Sequence, residues 1–208
     1  MPKAAKSNPA KTRKSLYSPH PSIAMEVAFE AKLPEKTGKT LAQWIAFLKK
    51  NGPSGEKERR EWLVKHHGLG TNYAWWIAER AAGGKSWAEQ YDPEAYVEKL
   101  FSGGRAGLRP IYDALLEIGL SLGDDVRACP CETMVPLYRK HVFAQLKPPS
   151  MKRIDLGLAL GDTKATGRLV DTGGFAKKDR ITHRIPITSL EEIDAEVRRW
   201  MKAAYERP

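Results

Sequence analysis

The 208-residue chain (23.3 kDa) has 41% hydrophobic and 29% charged residues, enough apolar content to bury a core and unlike the composition of a disordered chain. No stretch reaches the roughly 20 apolar residues of a membrane helix, and no signal-like run opens the chain, so neither a membrane-spanning nor a Sec-secreted protein is expected; with only two cysteines, a cytoplasmic protein is expected. Lys and Arg number 35 against 25 Asp and Glu, a net charge of +10 that suits anionic partners.

Residues 1–22 contain Lys3, Lys6, Lys11, Arg13 and Lys14 and no acid. Rich also in Pro, Ser and Ala, residues 1–21 read as a disordered basic tail, a solubilising terminus that can touch phosphates nonspecifically. A helical domain is predicted over residues 22–84. Its first helix opens at Pro21-Ser22 and ends before Pro34. Thr40 and Gln43 form a capping box for a helix with Leu41, Trp44, Ile45 and Leu48 on its apolar face. Ser54 caps a helix that carries Trp62 and Leu63 and stops at Gly68, with His66 and His67 placed where a cation suits the helix dipole. Thr71 caps the next helix, with Ala74, Ile77, Ala78 and Ala81 on one side.

Two features here resemble functional motifs. Thr37-Gly38-Lys39-Thr40 ends like a phosphate-binding loop, but Leu33 stands where the first glycine belongs and no strand precedes it, so it reads as a helix cap. Residues 56–82 have helix–turn–helix spacing and would present Asn72, Tyr73, Trp75, Trp76 and Arg80. A single cation is thin for docking on phosphates, and an ordinary helical corner explains the pattern.

Residues 85–104 read as a linking helix from Trp87 to Phe101 followed by a Ser102-Gly103-Gly104 linker. An α+β domain is expected over residues 105–208. Pro110 opens a helix bearing Leu108, Ile111, Leu115, Ile118 and Leu122; the period then falls to two. Strands are predicted at 126–128, 134–138, 141–147, 153–160, 167–171 and 180–188. Ser189 and Glu192 form a capping box for a last helix burying Leu190, Ile193, Val197, Trp200 and Ala204. The fold class is α+β: a three- to four-helix domain, then an α-β(5–6)-α domain with a mainly antiparallel sheet and both helices on one face. Residues 105–208 are expected to fold alone.

Alternation assigns the faces. Val142, Ala144, Leu146, Ile154, Leu156, Leu158, Leu160, Ile181, His183, Ile185 and Ile187 point to the helices. His141, Phe143, Gln145, Lys147, Arg153, Asp155, Gly157, Thr182 and Arg184 point away. Residues 139–153 contain five basic residues and no acid. Arg139, Lys140, His141, Phe143, Lys147, Arg153 and Arg184 therefore form a candidate nucleic-acid surface, with cations for phosphates and a ring for a base. A solvated face whose charges oppose edge pairing explains the same residues without a ligand.

Catalytic signals are absent from the sequence. Cys129-Pro130-Cys131 puts two thiols on one side of a strand without further ligands at metal-binding spacing, and reads as structural. Asp155 followed by Asp162-Thr163-Lys164 faintly resembles a nuclease pattern, yet Gly161-Asp162 is more naturally a hairpin turn. There is no nucleophile elbow, catalytic Ser-His-Asp order or dinucleotide loop. No enzyme activity, cofactor or metal is expected.

From about Ser22 onward the chain resembles an uncharacterised bacterial two-domain family, a small helical domain joined to an α+β domain of the "predicted transport protein" type. The helical resemblance rests on Lys36-Thr37-Gly38-Lys39, Trp44-Ile45 and His67-Gly68-Leu69-Gly70 through Ala74 and Ile77. The α+β resemblance rests on Pro136-Leu137-Tyr138-Arg139, Phe143-Ala144-Gln145, Arg153-Ile154-Asp155-Leu156-Gly157 and Thr182-His183-Arg184. It implies a two-domain architecture, akin to frataxin-like α+β folds, and carries no chemistry with it. The function expected is that of a non-enzymatic binding protein with nucleic acid on the open sheet face. The alternative is a protein- or small-ligand-binding module that makes contact through Trp75 or Trp76, and a cryptic enzyme comes third.

Overall fold

The computed structural model describes residues 15–207; Lys3, Lys6, Lys11, Arg13 and Lys14 of the basic tail lie outside them. The chain forms two compact units, a helical one at Pro19–Asp92 and a sheet unit at Pro93–Pro208 that also includes the stretch leading up to Ser18.

The helical unit contains α1 (Pro21–Thr37), α2 (Leu41–Asn51), α3 (Glu56–His67), α4 (Thr71–Ala81) and the single turn α5 (Trp87–Gln90). Leu33, Trp44, Leu48, Leu63, Ala74, Ile77 and Ala78 make its core. The Thr40–Gln43 capping box forms in both directions, and Gly68, at φ +64°, ends α3 in the left-handed conformation open to glycine. Other ends differ from expectation. The first helix runs through Pro34 to Thr37 despite the N–H that the proline lacks; the Gly38 N–H closes the last turn on the Pro34 carbonyl at 2.8 Å and the Thr37 hydroxyl donates to the Leu33 carbonyl at 2.7 Å. Gly55 and Gly70 occupy the N-cap positions expected for Ser54 and Thr71, with no side-chain cap bond.

Three polar residues of this unit turn inward. Arg80 pairs with Glu26 of α1, both side chains about nine-tenths buried, and the other Glu26 oxygen accepts the Trp87 N–H at 2.8 Å. His67 stands edge-on to the rings of Trp44, Phe47 and Trp62, with centroids 5.5, 5.2 and 4.5 Å away. Burial, then the nearby Lys39 charge, pushes its pKa down, so it is not the charged helix end that its position suggests.

The sheet unit contains α6 (Pro93–Leu100), a 3-10 turn (Gly103–Leu108), α7 (Arg109–Leu120), β1 (Arg127–Ala128), β2 (Val135–Tyr138), β3 (Val142–Lys147), β4 (Ile154–Leu158), β5 (Val170–Asp171), β6 (His183–Ile187) and α8 (Ala195–Glu206). The sheet order is β1-β2-β3-β4-β6-β5, and every neighbouring pair is antiparallel. Helices α7 and α8 share one face. A Cβ on Gly119 of α7 would run into Leu137 of β2 and sit 3.6 Å from Met201 of α8, so this glycine lets the three elements close together.

The expected linking helix breaks at Tyr91-Asp92, since the residue before Pro93 is kept out of the helical region. Val97, Leu100 and Phe101 lie in the sheet unit's core, with Phe101 stacked on Tyr112 at 4.5 Å. Gly103-Gly104 is therefore a turn inside this unit, not the division between units. Order also begins earlier than residue 22: Tyr17 bridges Ala128, the Ser18 N–H donates to the Ala128 carbonyl at 2.8 Å, and the Tyr112 hydroxyl donates to that of Tyr17 at 3.0 Å. At the other end α8 is capped by Asp194, which accepts from the Glu196 and Val197 N–H groups at 3.0 and 3.1 Å. Ser189 makes no such cap; Glu192 turns back onto Thr188 instead.

Ile154, Leu156, Leu158, Ile185 and Ile187 are fully buried on the helix side, as their alternation predicts. The alternation fails twice. The β2–β3 register skips a residue, pairing Leu137 with Ala144 but Tyr138 with Val142, so Phe143 is the extra residue of a bulge. Its ring turns inward, 1% exposed, and meets Tyr205 of α8 edge-on at 5.6 Å. Likewise Thr182 and His183 are both buried, Thr182 accepting the Leu160 N–H. Ile181 is displaced onto the outer face, its Cγ2 2.9 Å from where a Gly157 Cβ would lie.

Candidate nucleic-acid interface

The residues expected on one basic face separate into two groups. On the open face of the sheet, the Arg153 Nε donates to Asp155 at 2.9 Å and an Arg184 Nη to the other oxygen of the same carboxylate at 2.8 Å. Asp155 is well sheltered, so much of the local field of both arginines is spent within the protein. Lys147, exposed on β3 in register with Asp155, is the remaining cation of this group. With Phe143 buried and Ile181 lying over Gly157, the face is no flat stacking platform.

The second group, Arg139, Lys140 and His141, forms the β2–β3 turn and lines a cleft of about 780 Å³. Arg127 of β1, Arg180 and Arg207 join them there, contributed by elements far apart in sequence. All six are exposed, whereas the acids of the cleft are Asp124 and Asp125. Tyr205 forms one wall, with Phe143 beneath it.

Several of these cations are held in place. Arg139 donates to Asp125 at 2.8 Å and lies over the Tyr205 ring, 4.7 Å from its centroid. Tyr205 donates its hydroxyl to the other Asp125 oxygen at 2.9 Å. The bonds from Arg139 and then Tyr205 hold the Asp125 carboxyl below the usual carboxylate range and raise the arginine in turn. Arg207 donates to the Leu160 carbonyl at 2.5 Å and to Asp162 at 3.1 Å, its guanidinium lying where a Gly161 side chain would be. Arg180 donates to the Val142 carbonyl at 3.2 Å. Lys140 and His141 have no carboxylate within ion-pair distance among the described residues. The cleft thus combines three guanidiniums held by hydrogen bonds, those of Arg139, Arg180 and Arg207, with Arg127 and Lys140, a set suited to several phosphate oxygens at once.

Sequence reasoning missed Arg127, Arg180, Tyr205 and Arg207, since nothing local marks them as neighbours of the 139–141 turn. The other motifs do not assemble chemistry. Asp155 and Asp162 are each committed to arginines, and Gly161-Asp162 forms a turn. In the second helix of the helix–turn–helix corner, Arg80 is buried on Glu26 and Tyr73 packs on Phe29 at 4.5 Å, which removes that helix's one cation from solvent.

Neither Cys129 nor Cys131 forms a disulfide. Burial pushes the Cys129 thiol up to about 11 and raises that of Cys131 as well. Both are protonated at neutral pH, so iodoacetamide should label the native protein slowly and the unfolded protein fast. Equal rates in the two states would show that the thiols are accessible and activated.

The fold thus defines a two-domain α+β protein, a helical unit followed by an antiparallel sheet with two helices on one face. The profile of the family described as Domain of unknown function (DUF5655) matches residues 97–208, and that of Domain of unknown function (DUF4287) matches residues 28–82. The chain belongs to the first of these families, and the pairing of the two matches the two-domain architecture expected from its sequence motifs. No curated protein and no solved structure matches it. Among the described residues no helix is long and apolar enough to cross a membrane.

Proposed function

We propose that this protein is a non-enzymatic nucleic-acid-binding protein whose phosphate site is the cleft between the β2–β3 turn and the end of α8. The observation that carries the proposal is the convergence of Arg127, Arg139, Lys140, Arg180 and Arg207, with His141, on one hollow holding two acids. Their summed field attracts a polyanion, and neutralising phosphates releases condensed counterions, so binding weakens steeply with salt. The expected ligand is unchanged from the sequence reading, but the site moves from the open sheet face to the cleft.

Titration of a fluorescent oligonucleotide at several salt concentrations tests this. The chain should begin at Ser15, which removes the basic tail yet keeps Tyr17 and Ser18 on Ala128. Arg127→Ala with Lys140→Ala should lower the slope of log K against log salt by about 0.7–0.9 for each phosphate that is no longer neutralised. An unchanged slope, or binding that resides only in the tail, would rule out the cleft.

A second reading has a specific feature behind it. A hollow of about 470 Å³ between α3 and α4 is lined by Val64, Ala74 and Trp75 with Arg60, Glu61 and Lys65 around it. Trp76 packs edge-on against Phe29 at 4.2 Å, so Trp75 carries the protein- or small-ligand-binding alternative. Binding there would depend little on salt and would be abolished in Trp75→Ala.

A further inference from the structure

The inward turn of Phe143 takes from the phosphate cleft the ring expected to stack on a nucleobase, and the Tyr205 ring in its wall is already covered by Arg139, but the segment joining β5 to β6 supplies another. Phe175 is 58% exposed, among the most exposed large apolar side chains of the described residues. It lines a second hollow of about 670 Å³, together with Lys178, Asp179, Arg180 and Arg207. Arg180 and Arg207 belong to both hollows, so the ring lies just across two shared guanidiniums from the phosphate cleft.

The segment that presents Phe175 is held by its own hydrogen bonds. Thr172 donates both its N–H and its hydroxyl to the Thr182 carbonyl, at 3.0 and 2.8 Å. The Asp179 N–H closes onto the Gly174 carbonyl at 2.8 Å, and the Lys178 N–H onto that of Phe175 at 3.1 Å. Lys178 adopts φ +61°, a left-handed conformation unusual for a residue with a side chain. Gly174 is buried, and a Cβ there would meet the Ile181 carbonyl at 2.5 Å, so the two ends of the segment are packed against each other just before β6. An apolar ring is thus held in water beside cations by an ordered turn, at the cost of its burial.

We infer that Phe175 is the base-stacking residue of this protein and that its ligand is single-stranded nucleic acid. The inference rests on the phosphate cleft proposed above. A single strand alternates charged phosphates with flat, unpaired bases and can satisfy both hollows at once, whereas a duplex offers phosphates but keeps its base faces stacked inside. Sequence-tolerant recognition follows, because every base has a π face.

The test uses fluorescence anisotropy with three probes, an oligothymidylate, an abasic strand of equal length and a duplex, on the chain beginning at Ser15. Phe175→Ala should weaken oligothymidylate binding by roughly 5- to 150-fold, leave the abasic strand unchanged and keep the salt slope. Phe175→Trp should restore or exceed the original affinity. Thermal midpoints should match across the variants, since the ring is exposed. Equal wild-type affinity for the oligothymidylate and the abasic strand would overturn the assignment, as would tighter binding to duplex or an equal weakening on both strands in Phe175→Ala. Those results leave the phosphate cleft standing if Arg127→Ala with Lys140→Ala still flattens the salt slope. An absence of salt-sensitive binding to all three probes would overturn both.

Discussion

Replacing Glu26 by Ala should destabilise the helical unit by about 3–5 kcal/mol, the usual effect of removing one partner from a buried ion pair. Arg80 would be left without its main counter-charge in a site where its side chain is 10% exposed, and burial already penalises its charged form. Glu30, at 3.8 Å and half exposed, is too distant and too hydrated to replace Glu26. The Trp87 N–H would also be deprived of its acceptor, loosening the α5 turn from α1. A unit of this size has a stability of roughly 4–11 kcal/mol, so most of it would disappear. Denaturant unfolding followed by tryptophan fluorescence reads the change, because five of the six tryptophans lie in this unit. The double variant Glu26→Gln with Arg80→Met should recover much of the stability, since no charge is then left buried. A decrease under about 1 kcal/mol in Glu26→Ala would mean that the pair behaves as a surface ion pair.

The sequence is most informative where a local period decides the structure. The leucines of β4 alternate without interruption and sit where alternation puts them, and the Thr40–Gln43 box needs only its own four residues. Phe143 shows the limit. Its own strand alternates cleanly, and the reversal comes from the extra residue opposite Leu137 and Tyr138, which only the pairing reveals. Arg80 reads as a surface cation because its acid partner lies on another helix. The turn at 139–141 is identifiable as basic from its run of charges, whereas Arg127, Arg180 and Arg207 become its neighbours only when the sheet and α8 close around it. Phe175 carries no signal beyond the glycines before it. Local chemistry is therefore legible for elements and one part of the cleft, and long-range pairing determines the rest.

The glycines at 103 and 104 suggest a cut that the packing argues against, and truncation should show this strongly. Residues 105–208 contain α7, the sheet and α8 but omit Val97, Leu100 and Phe101, which are 1%, 2% and 5% exposed in the core that they share with Tyr112 and Leu115. Burying an apolar side chain of this size contributes about 1.5–3 kcal/mol, so removing three costs roughly 5–9 kcal/mol. Domains have total stabilities of about 5–15 kcal/mol, and the shorter fragment should cease to fold cooperatively or approach that point. Residues 93–208 keep all three side chains and should unfold in one cooperative transition, below that of the full chain because Tyr17 and Ser18 no longer cover Ala128. Circular dichroism and calorimetry of the two fragments make the comparison. If residues 105–208 melted as sharply and at the same midpoint as residues 93–208, α6 would contribute nothing to the core, and the division would belong at the glycines after all.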